Sequence, residues 1–215
     1  MHYRHGCAVC SAQTNRLLKS LSLYAADHAD ALPVVDWSPG ASWHRVGHEG
    51  PENHSNTRSL YLLISLQYVG SPLELVCCGA ERDDAPRFDP RQHPEYLDFP
   101  SRRHVTYSYP VFGTRSIKLT TWGDRPLLAD LNPHFGRLCQ GTSARIEIDV
   151  KDVKRLLNSP NHGGRGQNVG WADESVTYEP HPLWGGHQDD LYTQRGVTVY
   201  RGDERPADLN DVFLF

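Results

Sequence analysis

One stretch near the start of the chain constrains everything after it. Leu17, Leu21, Tyr24, Ala25 and His28 recur at helical spacing and form a single apolar stripe over Asn15–His28. Thr14 is placed to cap this helix and Ala31-Leu32-Pro33 to end it. No periodic run of equal length follows, because 18 Gly and 15 Pro punctuate the chain. Residues 36–58 read as loop, and a second helix is expected from Arg58 to Tyr68, capped by Asn56 or Thr57 and stopped by Gly70 and Pro72. Leu73–Cys77 is a short apolar run, and the charged, Pro-rich stretch 79–103 reads as a surface loop. In His104–Phe112 the residues Val105, Tyr107, Tyr109 and Val111 alternate with polar ones, which is strand periodicity. Ile117–Trp122, Pro126–Leu131, Val169–Tyr178, Val197–Tyr200 and Val212–Phe215 read as further strands, and Asp149–Leu157 as a short helix. Helices first and strands later predict an α+β fold, a helix packed on an antiparallel sheet with long loops. No repeat or linker divides the chain, so residues 14–215 are expected to form one domain, behind a segment 1–13 that is either disordered or metal-binding.

The 215 residues can bury a core without staples, and five Trp, ten Tyr and six Phe exclude a disordered chain. The charge is −4, from 22 basic and 26 acidic residues, which argues against a nucleic-acid binder. A membrane span needs about 20 apolar residues, whereas the longest run, Leu60–Leu66, is short and broken by Ser65. Met1–Cys7 has no apolar signal core. Taken alone, this reads as a soluble protein.

The five Cys cannot all pair within the chain. Cys7 and Cys10 form a C-x-x-C behind His2 and His5, and these four residues suit zinc. The plain alternative is a frayed terminus with incidental His. A third reading is a structural disulfide from Cys10 to Cys77 or Cys78. The remaining abundance of His, 12 in all, allows metal binding or pH switching without showing either.

Three stretches carry a resemblance. The first is Asn15–Asp27, with Tyr24-Ala-Ala-Asp27, ending in Ala31-Leu32-Pro33; the second is Asn56–Leu63, leading through Tyr68-Val69 to Val76-Cys77. The third runs from Asn158 through His162-Gly-Gly-Arg-Gly-Gln-Asn168 to Asp173, followed by Gly186-His-Gln-Asp189-Asp190-Leu-Tyr192-Thr193. In order and spacing they resemble the H-x9-D-G prepilin-type proteins, relatives of type II secretion pseudopilins and type IV pilins. Two departures stand out. Ten residues, not nine, separate His162 from Asp173, and Glu174 stands where the family has Gly, which puts the positive-φ turn in doubt. The family's N-terminal membrane helix is also absent from these residues, which points to truncation or an unusual gene start.

The resemblance implies a pilin-like head that is not an enzyme. Such a head forms or decorates an extracytoplasmic filament or secretion apparatus, with itself or other pilin-like subunits as partners. It would meet the membrane only through the absent helix, and a cytoplasmic location follows if that helix is genuinely lacking. The loop motif is His162, Gly163, Gly164 and Asn168, with Asp173 as its anchor. The Gly-rich loop lacks the ending of a phosphate-binding loop, so a hydrogen-bonded turn is the plainer reading. Asp189 and Asp190, with Asp173 and Glu174, are candidate calcium ligands, because hard cations take carboxylate and carbonyl oxygens and the resembled pseudopilins carry calcium in a late loop. The bland reading of the same residues is a solvated acidic turn. No G-x-S-x-G or H-E-x-x-H occurs, and Asp83-Asp84 sit in a polar stretch, so no hydrolase chemistry is written here. The competing functions are a metal-binding module at the N-terminal His/Cys cluster and a carbohydrate-binding surface using Trp37, Trp43, Trp122, Trp171 or Trp184.

Overall fold

The computed structural model describes residues 2–35, 42–47, 55–80, 88–112, 117–135, 146–147, 157–185, 189–208 and 210–215, with side chains from residue 8 onward except those of 146–147. The chain is α+β. Helix α1 spans His2–Asp27 and packs across a four-stranded antiparallel sheet. That sheet has the order β1-β2-β4-β5, from Tyr107–Ser108, Pro126–Asp130, Gln167–Trp171 and Val176–Glu179. Two small antiparallel pairs lie apart from it. One joins β3 (Ile146–Glu147) to β8 (Val199–Tyr200), and the other joins β6 (Leu183–Trp184) to β7 (Asp189–Asp190).

The predicted stripe is real: Leu17, Leu21, Tyr24 and Ala25 are buried, while His28 lies just past the helix, exposed. The start differs from the expectation. Thr14 is not a cap but a residue inside the helix, its hydroxyl donating to the Cys10 carbonyl at 2.9 Å, the bond a mid-helix Thr makes to position i−4. The helix reaches back because Cys10, Gln13 and Thr14 extend its buried face. Close approach to the sheet depends on Gly170 of β4, where a Cβ would stand 2.8 Å from Leu18 and 3.1 Å from Thr14. Asn15 then donates to the Glu174 carbonyl at 2.7 Å. Past the helix, Leu32 N–H bonds Ile117 O, and Leu119 N–H bonds Asp30 O, which ties its end to the short helix α3, Leu119–Trp122. The expected strand Ile117–Trp122 is therefore a turn of helix, stopped by Gly123 at φ 69°.

Helix α2, Thr57–Ser65, stands where predicted, with Asn56 at its cap position. The Asn56 side chain does not cap. It donates to the carbonyls of Tyr109, at 2.6 Å, and Phe215. Tyr109 and Phe215 exchange backbone bonds of 3.0 Å, so the 212–215 run lies beside 109–111. His104–Phe112 is thus buried on both faces and only Tyr107–Ser108 joins the sheet ladder. The 79–103 stretch is not simply a surface loop, because Asp98, Phe99 and Arg102 are buried. Val169–Tyr178 is not one strand but the β4–β5 hairpin. The helix expected at 149–157 falls almost wholly outside the described residues. The same core extends to Trp43, fully buried with Phe135, Phe213 and Phe215 each 4.9 Å away at steep angles.

Candidate functional site

Four segments converge beneath the first turns of α1. Cys10 sits on the buried stripe one turn before Thr14. Gln13, also on that face, donates to the carbonyls of Glu74 at 2.6 Å and Val76 at 2.9 Å, which fixes the helix to the segment following the turn Pro72–Leu75. That segment carries Cys77 and Cys78. Its position is held further by the Cys77 N–H donating to Thr106 Oγ1 at 2.7 Å and the Thr106 N–H donating to Leu75 O at 2.9 Å. The result places Cys10 Sγ 2.7 Å from Cys77 Sγ and 2.9 Å from Cys78 Sγ. Cys10 and Cys77 are fully buried and Cys78 half-buried.

His162 closes the other side. It ends a helical turn, Pro160–His162, capped by Ser159, and Gly163 and Gly164 then take left-handed conformations that turn the chain toward β4. Its Nε2 lies 3.7 Å from Cys77 Sγ, 3.1 Å from Asp130 Oδ2 and 3.0 Å from Asn168 Nδ2. Asp130, the last residue of β2 and fully buried, accepts from the Asn168 N–H at 2.6 Å, from Asn168 Nδ2 at 3.1 Å and from Asn161 Nδ2 at 3.1 Å. Gly79 lets the ring in, since a Cβ there would meet Asn161 O at 2.5 Å and His162 Nδ1 at 2.7 Å.

The electrostatics follow from this packing. Burial alone would lower the His162 pKa, but the hydrogen bond to Asp130 and the contact with Cys10 outweigh it and push the imidazole up to about 10. The hydrogen bond from Cys77 lowers the Cys10 thiol to about 4 against the opposing effect of burial. The same bond, with burial, drives Cys77 upward. Among the described residues, Cys10, Cys77 and His162 are the one group of His, Cys and acidic side chains whose atoms converge closely enough to hold a metal ion. Three sulfurs and an imidazole suit zinc or thiol–disulfide chemistry rather than calcium.

The other sequence-predicted residues are placed as follows. Asn168 belongs to the cluster. Asp173 does not anchor the His162 loop. It accepts from Ser175 N–H at 2.9 Å and from the Ser175 hydroxyl, holding the exposed β4–β5 turn. Glu174 adopts φ 67°, so the turn that Gly would favour forms without it. Asp189 Oδ2 accepts from the Val212 N–H at 3.2 Å and pairs with Arg195 at 3.6 Å. Asp190 accepts from the Tyr192 N–H at 2.8 Å, and burial pushes it up to about 7. Asp173, Glu174, Asp189 and Asp190 do not converge as a ligand group among the described residues. His2, His5 and Cys7 lie in the first turns of α1, but their side chains are outside the described residues, as are Trp37, Asp83 and Asp84. Trp43 and Trp122 are buried, while Trp171 and Trp184 are half-buried against Ala129, Val169 and Leu191.

Sequence reasoning paired Cys10 with Cys77 or Cys78 but missed Asp130 and Asn161. Asp130 ends the apolar run Leu127-Leu128-Ala129, and a carboxylate in that place was the available signal. No family model, curated protein or solved structure matches the chain.

Proposed function

We propose that this chain is the head of a pilin-like, non-catalytic structural protein that packs laterally against copies of itself or related subunits in an extracytoplasmic filament or secretion apparatus. The observation that supports this most is the two-sided character of α1. One face is sealed on the antiparallel sheet at Gly170, while Val9, Ala12, Arg16, Lys19, Leu23 and Ala26 form an exposed stripe along the other. Leu23 is 59% exposed and Val9 53%, an aliphatic presence that lateral contact with another helix would cover. No helix among the described residues is long and apolar enough to cross a membrane, so this reading concerns the head alone.

The test is a photo-crosslinking amino acid at Leu23, in the full-length gene product in its native cell. The expected result is a ladder of crosslinked pilin-like subunits in the envelope or extracellular fraction. A monomer confined to the cytosol overturns the reading.

A further inference from the structure

We propose that Cys10, Cys77 and Cys78 form a thiol–disulfide site, in which Cys78 admits an incoming disulfide oxidant and the oxidation ends as a buried Cys10–Cys77 bond. The inference does not depend on the filament reading. It rests on one sulfur with two neighbours. Cys10 Sγ is 2.7 Å from Cys77 Sγ and 2.9 Å from Cys78 Sγ, both well inside non-bonded contact. A disulfide needs these atoms at about 2.05 Å. A tetrahedral zinc site, with Zn–S near 2.3 Å, needs its sulfurs roughly 3.8 Å apart. The cluster is therefore closer to a bond than to a coordination shell. His162 points the same way, because its Nε2 already faces Asp130 and Asn168, and Gly79 backs onto its Nδ1 edge.

Burial assigns the roles. Cys10 and Cys77 are at 0% exposure, whereas Cys78 is half-buried and is the sulfur a reagent can reach. The reagent class is a disulfide, R–S–S–R, small or borne on a protein. The Cys78 thiolate attacks one of its sulfurs, forming Cys78–S–S–R and releasing RS⁻, which takes up the proton Cys78 gave up. Cys10 thiolate attacks Cys78 Sγ, forming Cys10–S–S–Cys78 and expelling the second RS⁻, protonated by the proton Cys10 lost. Cys77 then attacks Cys10 Sγ, giving up its proton in that step to Cys78, which is returned as a thiol. Overall two cysteine thiols lose two electrons and two protons, and the reagent leaves as two RSH. The final bond ties α1 to a segment 67 residues away, behind Gln13 and the Thr106 contacts that already hold it.

The test uses the full chain with Cys7→Ser and Cys139→Ser, so that three cysteines remain. The reduced protein is exposed to oxidised glutathione, quenched in acid at intervals, alkylated and digested with trypsin. The expected product links the peptide His5–Arg16 to Ser59–Arg82, with one alkylated thiol left on the latter, and its Tm rises by roughly 10 °C. Adding Cys78→Ser is expected to give the same link between the two peptides, now with no alkylated thiol, but to slow its formation at least tenfold. Adding Cys77→Ser is expected to trap the Cys10–Cys78 link. Three alkylated thiols after prolonged oxidation overturn the site, as does one tightly held zinc per chain as purified. Formation at the parent rate in the Cys78→Ser protein overturns the entry role of Cys78.

Discussion

Two fully buried carboxylates in this molecule are handled in opposite ways. Asp98, beneath α2, is surrounded by neutral donors: the hydroxyls of Ser55 at 3.0 Å and Thr57 at 2.8 Å, and the N–H groups of Phe99 at 2.8 Å and Gly47 at 3.3 Å. Burial nevertheless pushes it up to about 7. Arg58 is near, but its Nε donates to Leu97 O. Asp130, beneath α1, has donors from Asn161 and Asn168 and also the imidazole of His162, whose pKa its carboxylate pushes upward. Four neutral donors do not offset the desolvation of a charge, whereas a cation 3.1 Å away turns the same cost into an ion pair. The first region is a knot in which burial raises a carboxyl, and the second is a centre in which a carboxyl raises an imidazole.

The sharpest way to break this comparison is to remove the carboxylate from the second region. Asp130→Ala removes the buried acceptor that His162, Asn161 and Asn168 share and strands the imidazolium without its counter-charge, at an expected cost of about 3–5 kcal/mol. Urea melts measure it, and a loss below about 1 kcal/mol would erase the distinction between the regions. Next comes Gly79→Ala, which forces a methyl against Asn161 O and the His162 ring. About 2–3 kcal/mol is expected, because the oxygen it meets is backbone and cannot rotate away.

The Asp98 knot is read through pH. Its folded pKa, about 7, is above the ordinary carboxyl value of 3.8, so the folded state holds a proton that the unfolded state has lost between those limits. Stability contributed by Asp98 is then greatest below about pH 4 and falls as pH rises toward 7. Asp98→Asn removes that slope, and the difference between parent and variant is expected to change by about 4 kcal/mol from pH 4 to 8. For His162 the raised pKa places the loss elsewhere: its contribution is complete below about 6.5 and disappears as pH rises through about 10. His162→Gln should therefore alter the alkaline limb and Asp98→Asn the acid one. Both variants changing the same limb would contradict the comparison.

The smallest effect is expected outside both regions. Glu174 sits at φ 67°, and Glu174→Gly relieves that strain while adding freedom to the unfolded chain. A net gain of up to about 1 kcal/mol, or a Tm rise of about 2–4 °C, is expected by calorimetry.

These details explain what could be read from the sequence. The α1 stripe was legible because Leu17, Leu21 and Tyr24 face one core at one period. Its first turns were not, because Thr14 looks like a cap and only its bond to Cys10 O shows it to be interior. The alternation in His104–Phe112 was genuine in residue type but not in burial, since Ser108 and Thr106 are inside with Tyr107 and Tyr109. In the candidate site, the His162–Asn168 loop stood out by its glycines, and Cys10 with Cys77 or Cys78 by simple pairing. Asp130 was hidden because its partners, Asn161, His162 and Asn168, follow it by 31 residues or more. Local pattern cannot report contacts of that range.

The Asn56 amide has a consequence for the order of events in folding. It joins the start of α2 to Tyr109 and to Phe215, 159 positions downstream. Part of the tertiary support at the entrance to α2 forms only when the far end of the chain has been laid beside Tyr109, a contact of high sequence separation that belongs to the slow, late stage of assembly. Until then the 104–112 segment, buried on both faces in the folded chain, has an uncovered side, and that interval is when this chain is most exposed to aggregation.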